Sequence, residues 1–364
     1  MRRGCPVVIG LISLSLVTGC WDQTLLKDVR LIIGLGIDED ADGNILDTFV
    51  LPDVTNQKNT PQVISVTGHT ARETRLNLGK RLNLVPDGSK NRFVLIGEEM
   101  ATKKIYTILD VFYRDPKSAL NAKIAVVKGR AEAFMKKEYE IKPNLILNLD
   151  KQIVSAETAS LVPNVNIQSI CTIMFDPGQD FVLPYIEHGT EGAVVTGIAL
   201  FNSQTMTGAL EGRDAIICLL LANQMGKRAA ITVPAGTSGK TGSFMTFQVF
   251  QIKRNLQVWM EGDEVFANID LQLKVKVEEF AEDHLVDRER VEQLNARITK
   301  ELNRNAQEVI RRLQQANCDI FGIGRRLIAF HHDYWKKTDW NRTYPHIKIQ
   351  PSVMVEIARP GIIY

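Results

Sequence analysis

The sequence has 364 residues, of which 45% are hydrophobic and 24% are charged, and its formal net charge is +2 at pH 7. This composition is typical of a folded globular protein and excludes a disordered chain, while the near-neutral charge gives no reason to expect a nucleic-acid partner. The length favours two or three domains of roughly 100–200 residues each.

The chain begins with a signal-like segment. Arg2 and Arg3 precede an apolar run over residues 6–17, and this run ends in Thr18-Gly19-Cys20. A positive head, an apolar core of about 7–15 residues and small residues at its exit predict a secretory signal peptide, residues 1–19, that is cleaved. The core is too short to span a hydrocarbon layer of about 30 Å as a helix.

A cysteine directly after that glycine is typical of a bacterial lipobox. We therefore predict that Cys20 carries a diacylglycerol on its sulfur and an acyl chain such as palmitate on the new amino group; an ordinary signal peptide is the alternative. Two or three acyl chains hold a protein stably at a membrane where one does not. The chain from residue 20 onward is then predicted to be a water-soluble body tethered to the outer face of a membrane.

The other cysteines indicate no disulfide framework. Cys5 would leave with the signal peptide, so Cys171, Cys218 and Cys318 remain, an odd number at wide spacings and without the CxxC pattern of a zinc site. Their apolar neighbours favour buried free thiols, and one bridge with one free thiol is left open.

Strands alternate with helices through the first half, which predicts an α/β or α+β fold with mixed sheets packed by helices. We predict strands at residues 29–37, 45–54, 63–66, 92–96, 122–127 and 181–186, the first two as a hairpin. We predict helices at residues 70–84, with Thr70 near the N-cap, and at 101–113, 131–136 and 144–161.

A polar, glycine-bearing stretch at residues 187–192 is the predicted domain boundary, which separates residues 20–190 from residues 191–364. Beyond it we predict a hairpin of residues 194–201 and 206–210, a helix at 213–225, strands at 244–253, 255–260, 265–277 and 347–357, and helices at 287–315 and 321–335. The strand at 265–277 alternates strictly between apolar and mostly polar residues, so one face is expected in the core and one in water. The helix at 287–315 carries one apolar stripe.

Two motifs resemble ligand-binding loops and fail on inspection. Residues 234–241 nearly form a phosphate-binding loop, but Pro234 replaces the first glycine and a β-rich segment follows, so an inter-strand loop is predicted. Asp38, Asp40 and Asp42 imitate the start of an EF-hand, but position twelve is Phe49 and not a bidentate carboxylate.

The remaining candidates are no stronger. Gly34 and Gly36 lack the third glycine of a dinucleotide fingerprint, because Glu39 stands there. His331 and His332 are adjacent, so they point to different faces of a helix and do not bind a metal together. We therefore predict no catalytic residues, no cofactor and no metal, and a protein that is not an enzyme.

A series of short stretches resembles the Ger(x)C family, the lipoprotein C subunit of spore germinant receptors in endospore-forming bacteria. The stretches run in order from the lipobox to near the C-terminus: residues 19–22, 34–38, 97–101, 114–115, 128–131, 197–201, 208–210 and 319–324, followed by Trp335, Trp340 and Pro345. The Cys-Trp-Asp sequence after the lipobox is the most specific of them. The resemblance covers essentially all of the chain after the signal peptide.

The resemblance implies three α/β domains with mixed sheets and a non-catalytic receptor subunit on the outer surface of the spore inner membrane. It implies assembly with two integral membrane partners, the A and B subunits, and a requirement in germination. Arg213, Asp214, Gly322 and Gly324 match family positions, whereas the adjacent arginines at 325 and 326 depart from the pattern. A solute-binding lipoprotein that binds a small nutrient directly is the alternative.

Overall fold

The largest sheet in the described part of the chain has eight strands. A computed structural model describes residues 28–52, 61–141, 145–234, 244–281, 285 and 287–359. Its strands, in spatial order, are β10 (Thr205–Glu211), β9 (Gly192–Asn202), β8 (Val182–Gly189), β7 (Lys123–Val127), β6 (Phe93–Gly97), β2 (Gly34–Glu39), β3 (Ile45–Leu51) and β4 (Gln62–Gly68). Strands β2, β6, β7 and β8 are mutually parallel, and the two hairpin arms are antiparallel.

Helices cover both faces of this sheet. In β6, Phe93 and Leu95 face one core and Val94 and Ile96 face the other, because successive side chains of a strand point to opposite faces. The first core is closed by α4 (Ala131–Ile141) and α5 (Leu145–Thr158). The second is closed by α1 (Ala71–Leu82), α2 (Glu98–Ala101), α3 (Tyr106–Arg114) and α6 (Ile167–Met174).

A four-stranded sheet forms the C-terminal half, in the order β11 (Ala229–Pro234), β12 (Phe244–Glu261), β13 (Glu264–Phe280) and β14 (Lys348–Arg359). The amphipathic helix α8 (Arg288–Gln315) packs against β14. Helix α7 (Gly212–Leu221) contacts β9, β10, β13 and α8, so its almost wholly apolar sequence lies between the two sheets. A parallel pair of β1 (Val29–Leu31) and β5 (Val85–Asp87) completes the strands.

Short helices connect α8 to β14. They are α9 (Ile323–Phe330), α10 (His332–Trp335), α11 (Trp340–Thr343) and a 3₁₀ turn (Tyr344–His346). In the described part of the chain, no helix combines the length and the apolar character needed to cross a membrane.

Several sequence predictions are confirmed. The side chain of Thr70 accepts the N–H of Glu73 and caps α1 as expected. Strand β13 buries Val265, Ile269 and Val275 among its alternate residues, and α8 is one unbroken helix capped by Asp287. The first hairpin is the antiparallel pair β2–β3.

Other predictions are wrong in instructive ways. The segment 29–37 is two strands, since β1 pairs with β5 and β2 with β3 and β6. The helix predicted at 101–113 is divided because Ile105 donates its N–H to the carbonyl of Gln204 at 3.0 Å, which fixes a turn before α3. The helix predicted at 321–335 is likewise interrupted at His331, whose backbone leaves the helical region.

In the C-terminal sheet, the segments 244–253 and 255–260 form the single strand β12. Polar residues such as Asn255 do not end the strand, because they lie on its exposed face. Strand β11 and helix α6 were not predicted. The boundary predicted near residue 190 falls in the turn between β8 and β9, which pair within one sheet, and the division into domains stays a prediction.

Candidate functional site: two carboxylate junctions

Residues from four of the stretches that carry the resemblance, 34–38, 97–101, 128–131 and 319–324, lie at two places. We name them the sheet-end junction, formed by Asp38, Gly97, Glu98, Gly129 and Tyr185, and the intersheet junction, formed by Gly178, Asp180, Asp319, Gly324 and Trp340. Both are built around a buried aspartate. Cys20, the predicted lipidation site, and residues 235–241 of the phosphate-loop-like motif lie outside the described residues.

The sheet-end junction forms because the carboxyl ends of β2, β6 and β7 meet at one edge of the sheet. Asp38, which is 3% exposed, accepts hydrogen bonds from the N–H groups of Ala131 (2.9 Å) and Glu132 (2.7 Å). These are first-turn donors of α4 that no helical carbonyl can satisfy. Burial raises the pKa of Asp38, and the two N–H groups partly oppose that shift.

A close approach to Asp38 explains the glycine before α2. A Cβ on Gly97 would overlap Oδ1 of Asp38, so only glycine leaves space for the carboxylate. The next residue, Glu98, donates its N–H to the carbonyl of Gly129 at 2.9 Å, which joins the ends of β6 and β7. Gly129 has a φ of +80°, a backbone conformation that favours glycine.

The carboxylate of Glu98 is also bonded. It accepts the hydroxyl of Tyr185 at 2.6 Å and the N–H of Gly129 at 3.3 Å. Burial is the main cause that raises the pKa of Tyr185, and the hydrogen bond to Glu98 adds to it. Asp38, Glu98 and Arg130 border a cavity of about 140 Å³, and the carboxylates of Asp38 and Glu98 are acceptors in the hydrogen bonds described above.

The intersheet junction joins the segment before β8 to the segment after α8. Asp180 accepts the N–H of Ser203 (2.6 Å) and the N–H of Asp319 (2.8 Å), and its own N–H donates to the carbonyl of Asp319 (3.0 Å). Burial raises the pKa of Asp180.

Asp319 repeats the cap seen at Asp38 in a more buried setting. Its two carboxylate oxygens accept the N–H groups of Ile323 (3.1 Å) and Gly324 (2.8 Å) at the start of α9, and the residue is 1% exposed. Burial raises the pKa of Asp319 to about 7, against the lowering effect of these two bonds.

Glycines again allow the contact. A Cβ on Gly324 would lie 2.9 Å from both Cα and the carbonyl oxygen of Gly178, and the N–H of Arg325 donates to that carbonyl at 2.9 Å. Gly322 has a φ of +71°. Beside the junction lies an open groove of about 490 Å³, bordered by Phe175, Asp176, Asp339 and the tryptophans 335 and 340.

The two adjacent arginines that differ from the family pattern, Arg325 and Arg326, have different environments. Arg325 forms an ion pair with Asp176 at 3.0 Å and donates to Gln179 at 3.1 Å, whereas the side chain of Arg326 is exposed. Of the other matched positions, Asp214 pairs with Arg312 at 2.8 Å and so links α7 to α8.

The remaining candidate residues do not assemble into a reactive site. Cys218 and Cys318 are buried free thiols whose pKa burial raises, as predicted in kind, but Cys171 is only half-buried. His331 is half-buried and His332 exposed. Among the described residues, no group of three or more potential ligands could hold a metal ion.

The acidic turn behaves as a hairpin turn. Asp40 accepts the backbone N–H groups of Asp42 (2.9 Å) and Asn44 (2.8 Å), and Phe49 is buried within β3. Sequence reasoning missed Asp180 and Tyr185, because a single polar residue near or within a strand carries no periodic signal. The one available hint of such a cap in the sequence was Asp319, which lies three residues before Gly322-x-Gly324.

These features define a class of protein: a mixed α+β chain with several mixed sheets packed by helices, in which the motif carboxylates cap helices at junctions. Two family models match it. The spore germination protein N-terminal domain matches residues 22–188, and the spore germination B3/GerAC-like C-terminal domain matches residues 196–361. The chain belongs to this family of GerAC-like spore germination proteins.

Individual relatives agree over nearly the full length. Spore germination protein GerQC of Bacillus cereus is 21% identical over 98% of this chain and 98% of its own length. Putative spore germination protein YfkR of Bacillus subtilis is 20% identical over 98% of this chain and 97% of its own. The crystal structure of the GerBC protein has the same fold, with a TM-score of 0.59 at 17% identity, covering 89% of this chain and 97% of that one.

Proposed function

We propose that this protein is the lipid-anchored, non-catalytic C subunit of a nutrient germinant receptor. In this proposal, acylated Cys20 holds the folded body on the outer face of the spore inner membrane. The body assembles there with the integral membrane A and B subunits and is needed for the signal that starts germination. Family membership over residues 22–361 is the observation that carries the proposal.

The geometry of the two junctions supports a non-catalytic role. A general base must reach a substrate proton, whereas Asp38 and Asp319 are buried, and both of them and Asp180 are each held by two backbone N–H groups. The carboxylates therefore fix the relative positions of helices and strands. A subunit that acts by assembly requires this kind of fixed scaffold.

The anchor is tested by intact-mass analysis of the protein extracted from membranes. We expect a mature chain that begins at Cys20 and carries the mass of a diacylglycerol and an additional acyl chain. Cys20→Ala should lose the lipid mass and leave the membrane fraction. Cys5→Ala is the matched control, since Cys5 lies within the predicted signal peptide and its loss should change nothing. Lipid-free protein from the unaltered gene would refute the anchor.

The receptor role is tested by deleting the gene and measuring spore germination with single nutrients. We expect loss of the response to particular nutrients, restored by the unaltered gene and much less by Cys20→Ala. Germination that is normal with every nutrient, in a strain without related genes, would refute the proposal.

The groove beside the intersheet junction is the feature of the described residues on which the alternative function is argued. Its aromatic and acidic border could contact a small amine directly, as a solute-binding lipoprotein would. Calorimetric titration of the purified chain with amino acids and sugars distinguishes the two, since the receptor-subunit proposal expects no binding. Saturable binding that Trp335→Ala removes would favour direct nutrient recognition.

A further inference from the structure

The outer strands of the two large sheets differ in how their free edges are covered. Strands β4 and β10 are the edges of the eight-stranded sheet, and β11 and β14 are those of the four-stranded sheet. An edge strand presents unpaired N–H and C=O groups that can pair with another chain. The question for each edge is therefore which groups satisfy its backbone.

The edge of β14 is covered by side chains of α8. Three polar residues spaced four apart on this helix, on one helical face, accept the outward N–H groups of β14. The bonds join Asn295 Oδ1 to Ile357 N (2.9 Å), Thr299 Oγ1 to Val355 N (3.1 Å) and Asn303 Oδ1 to Val353 N (2.9 Å). Asn303 also donates to the carbonyl of Val353 at 2.7 Å. The helix thus replaces a neighbouring strand.

The edge of β4 is covered in the same way by α1. Residues spaced four apart on this helix bond to alternate residues along the strand and just beyond its end: Glu73 accepts the N–H of His69 (2.7 Å), Asn77 donates to the carbonyl of Thr67 (3.1 Å), and Arg81 donates to that of Ser65 (3.3 Å). At β10, Arg312 donates to the carbonyl of Ala209 at 2.9 Å.

Among the described residues, the backbone of β11 receives no such bond from a helix side chain. Just before it, Arg228 turns both backbone groups away from β12: its N–H donates to the carbonyl of Thr158 (3.0 Å), and its carbonyl accepts the hydroxyl of Ser160 (2.7 Å). In an antiparallel ladder the N–H and C=O groups of successive residues point alternately toward and away from the partner strand. The backbone N–H and C=O groups of Ala230 and Thr232 therefore also point away from β12.

Within the described residues, no hydrogen bond reaches the outward backbone groups of Ala230 and Thr232, and both residues are exposed. The next outward residue, Pro234, offers a carbonyl but has no N–H. The free edge consists of two complete donor–acceptor pairs, bounded on one side by an already bonded residue and on the other by a proline.

We propose that a second copy of this chain pairs antiparallel with β11 across a two-fold axis at Ile231. In this register Ala230 of each copy lies opposite Thr232 of the other, and the two pairs exchange four main-chain hydrogen bonds. The pairing ends at these residues, because Thr158 and Ser160 already occupy the outward side of Arg228. Pro234 of the other copy, which has no N–H to offer, turns away from the edge at that point.

The side chains and charges agree with this register. Ala230 and Thr232 are small, so the two edges can approach to strand spacing. The two Arg228 side chains lie about 20 Å apart, from six residues at about 3.4 Å each, which exceeds the screening length of about 10 Å at 0.1 M salt. The four-stranded sheets of the two copies then form one continuous sheet across the dimer, and the contact is isologous, with the same residues on both sides.

Disulfide trapping tests the register in the purified full-length chain at up to about 1 mM, where even a dimer with a millimolar dissociation constant is populated. The background carries Cys5→Ser, Cys20→Ser and Cys171→Ser, since Cys218 and Cys318 are buried. Opposed residues of a hydrogen-bonded pair have Cα atoms about 5.5 Å apart, within disulfide range. A chain carrying both Ala230→Cys and Thr232→Cys should form covalent dimers on mild oxidation.

The single variants are the matched controls. Ala230→Cys alone and Thr232→Cys alone should not cross-link, because like positions lie diagonally and beyond disulfide reach, whereas a mixture of the two should. No dimer from the double variant or the mixture would overturn the proposal, as would equal cross-linking of the single variants. A disulfide to a different protein in cell membranes would assign the edge to another occupant and also overturn it.

Proline substitution gives an independent readout. Thr232→Pro removes an outward N–H and no hydrogen bond of the β11–β12 ladder, and proline is compatible with an edge strand. The fold should therefore persist while sedimentation shows monomers. Thr232→Val, which like proline loses the side-chain hydrogen bond to Thr246, should still dimerise. Dimers that persist in Thr232→Pro would contradict pairing through this edge, and the cross-linking result stands even if that variant does not fold.

Discussion

The sheet-end junction and the intersheet junction use one device in two environments. At each, an aspartate accepts two N–H groups from the first turn of a helix, and a glycine leaves space for the contact. Asp38 is also buried, but it caps α4 beside the cavity of about 140 Å³ that Arg130 borders as well. Asp319 caps α9 between the two sheets, where burial raises its pKa to about 7.

The difference teaches that the same hydrogen bonds have different consequences at different depths. The cavity that Asp38 borders gives water a route to a lost cap at the sheet end, whereas Asp319 does not border the groove beside its own junction. A cap that water can replace should contribute mainly to its own helix. A cap between two sheets should contribute to the stability of the whole fold and should make that stability depend on pH.

The largest expected effect is the loss of the buried cap. Asp319→Ala leaves two buried N–H groups without acceptors, at about 1–3 kcal/mol each, so we expect the free energy of unfolding to fall by about 2–5 kcal/mol. Asp38→Ala should cost about 1–2 kcal/mol, as for other N-caps. Urea denaturation followed by circular dichroism measures both.

Asp319→Asn is the control, because its amide oxygen can still accept one of the two N–H groups, and it should lose less than alanine. Equal costs for Asp38→Ala and Asp319→Ala would contradict the argument from depth.

The two glycines should respond differently to removal of the aspartates. Gly97→Ala and Gly324→Ala should each cost about 1–3 kcal/mol through overpacking. The alanine at 97 overlaps the Asp38 carboxylate, so Asp38→Ala should remove most of its cost. The alanine at 324 meets the backbone of Gly178, so Asp319→Ala should not relieve it.

A double-mutant cycle at each junction measures this coupling. Gly208→Ala is the control, since a Cβ there would lie 3.7 Å from Ala316, an ordinary contact. Strong coupling between positions 324 and 319, or none between 97 and 38, would show that the two contacts are assigned wrongly.

Local structure followed from the sequence wherever a periodic pattern was strong. The strict alternation in β13, the apolar stripe of α8 and the Thr70 cap of α1 all predicted the observed elements. Strand β11 has only six residues, and its last residue, Pro234, belongs to the segment that the sequence predicts to be a loop. Its alternation was therefore too short to be recognised as a strand.

The junctions could not be derived in this way. Asp38 and Ala131, or Asp180 and Asp319, are far apart in the chain and meet only because of the order in which strands pair. That order depends on non-local packing, to which no local sequence pattern corresponds. The matched stretches identified some of the junction residues, but not their bonds.

The third expected effect is a pH dependence that the intersheet junction creates. The pKa of Asp319 is about 7 in the folded chain and 3.8 as its ordinary value, so the folded state holds the extra proton between these values. The contribution of this carboxyl to the free energy of unfolding is then fully present below about pH 4 and is lost as the pH rises toward 7. The buried Asp47, with a pKa also raised to about 7, acts in the same direction.

We expect the free energy of unfolding to increase as the pH is lowered from 7 to 5, and Asp319→Asn to reduce that slope by up to about 1.4 kcal/mol per pH unit. Denaturation curves at half-unit pH intervals measure it. Gly208→Ala, whose Cβ would approach only Ala316 and Leu200, should keep the full slope. An unchanged slope in Asp319→Asn would mean that this carboxyl is ionised throughout the range.

The smallest expected effects are at the outer ion pairs, where the two junctions should be alike. Arg325 pairs with Asp176 beside the intersheet junction, and Lys103 pairs with Glu39 beside the sheet end; the basic side chains are 59% and 47% exposed. Exposed pairs contribute about 0–1 kcal/mol and are screened by salt. Arg325→Ala and Lys103→Ala should therefore each cost less than about 1 kcal/mol, and less again in 1 M salt. A salt-independent loss at Arg325 alone would mean that its contacts with Asp176 and Gln179 are part of the intersheet junction itself.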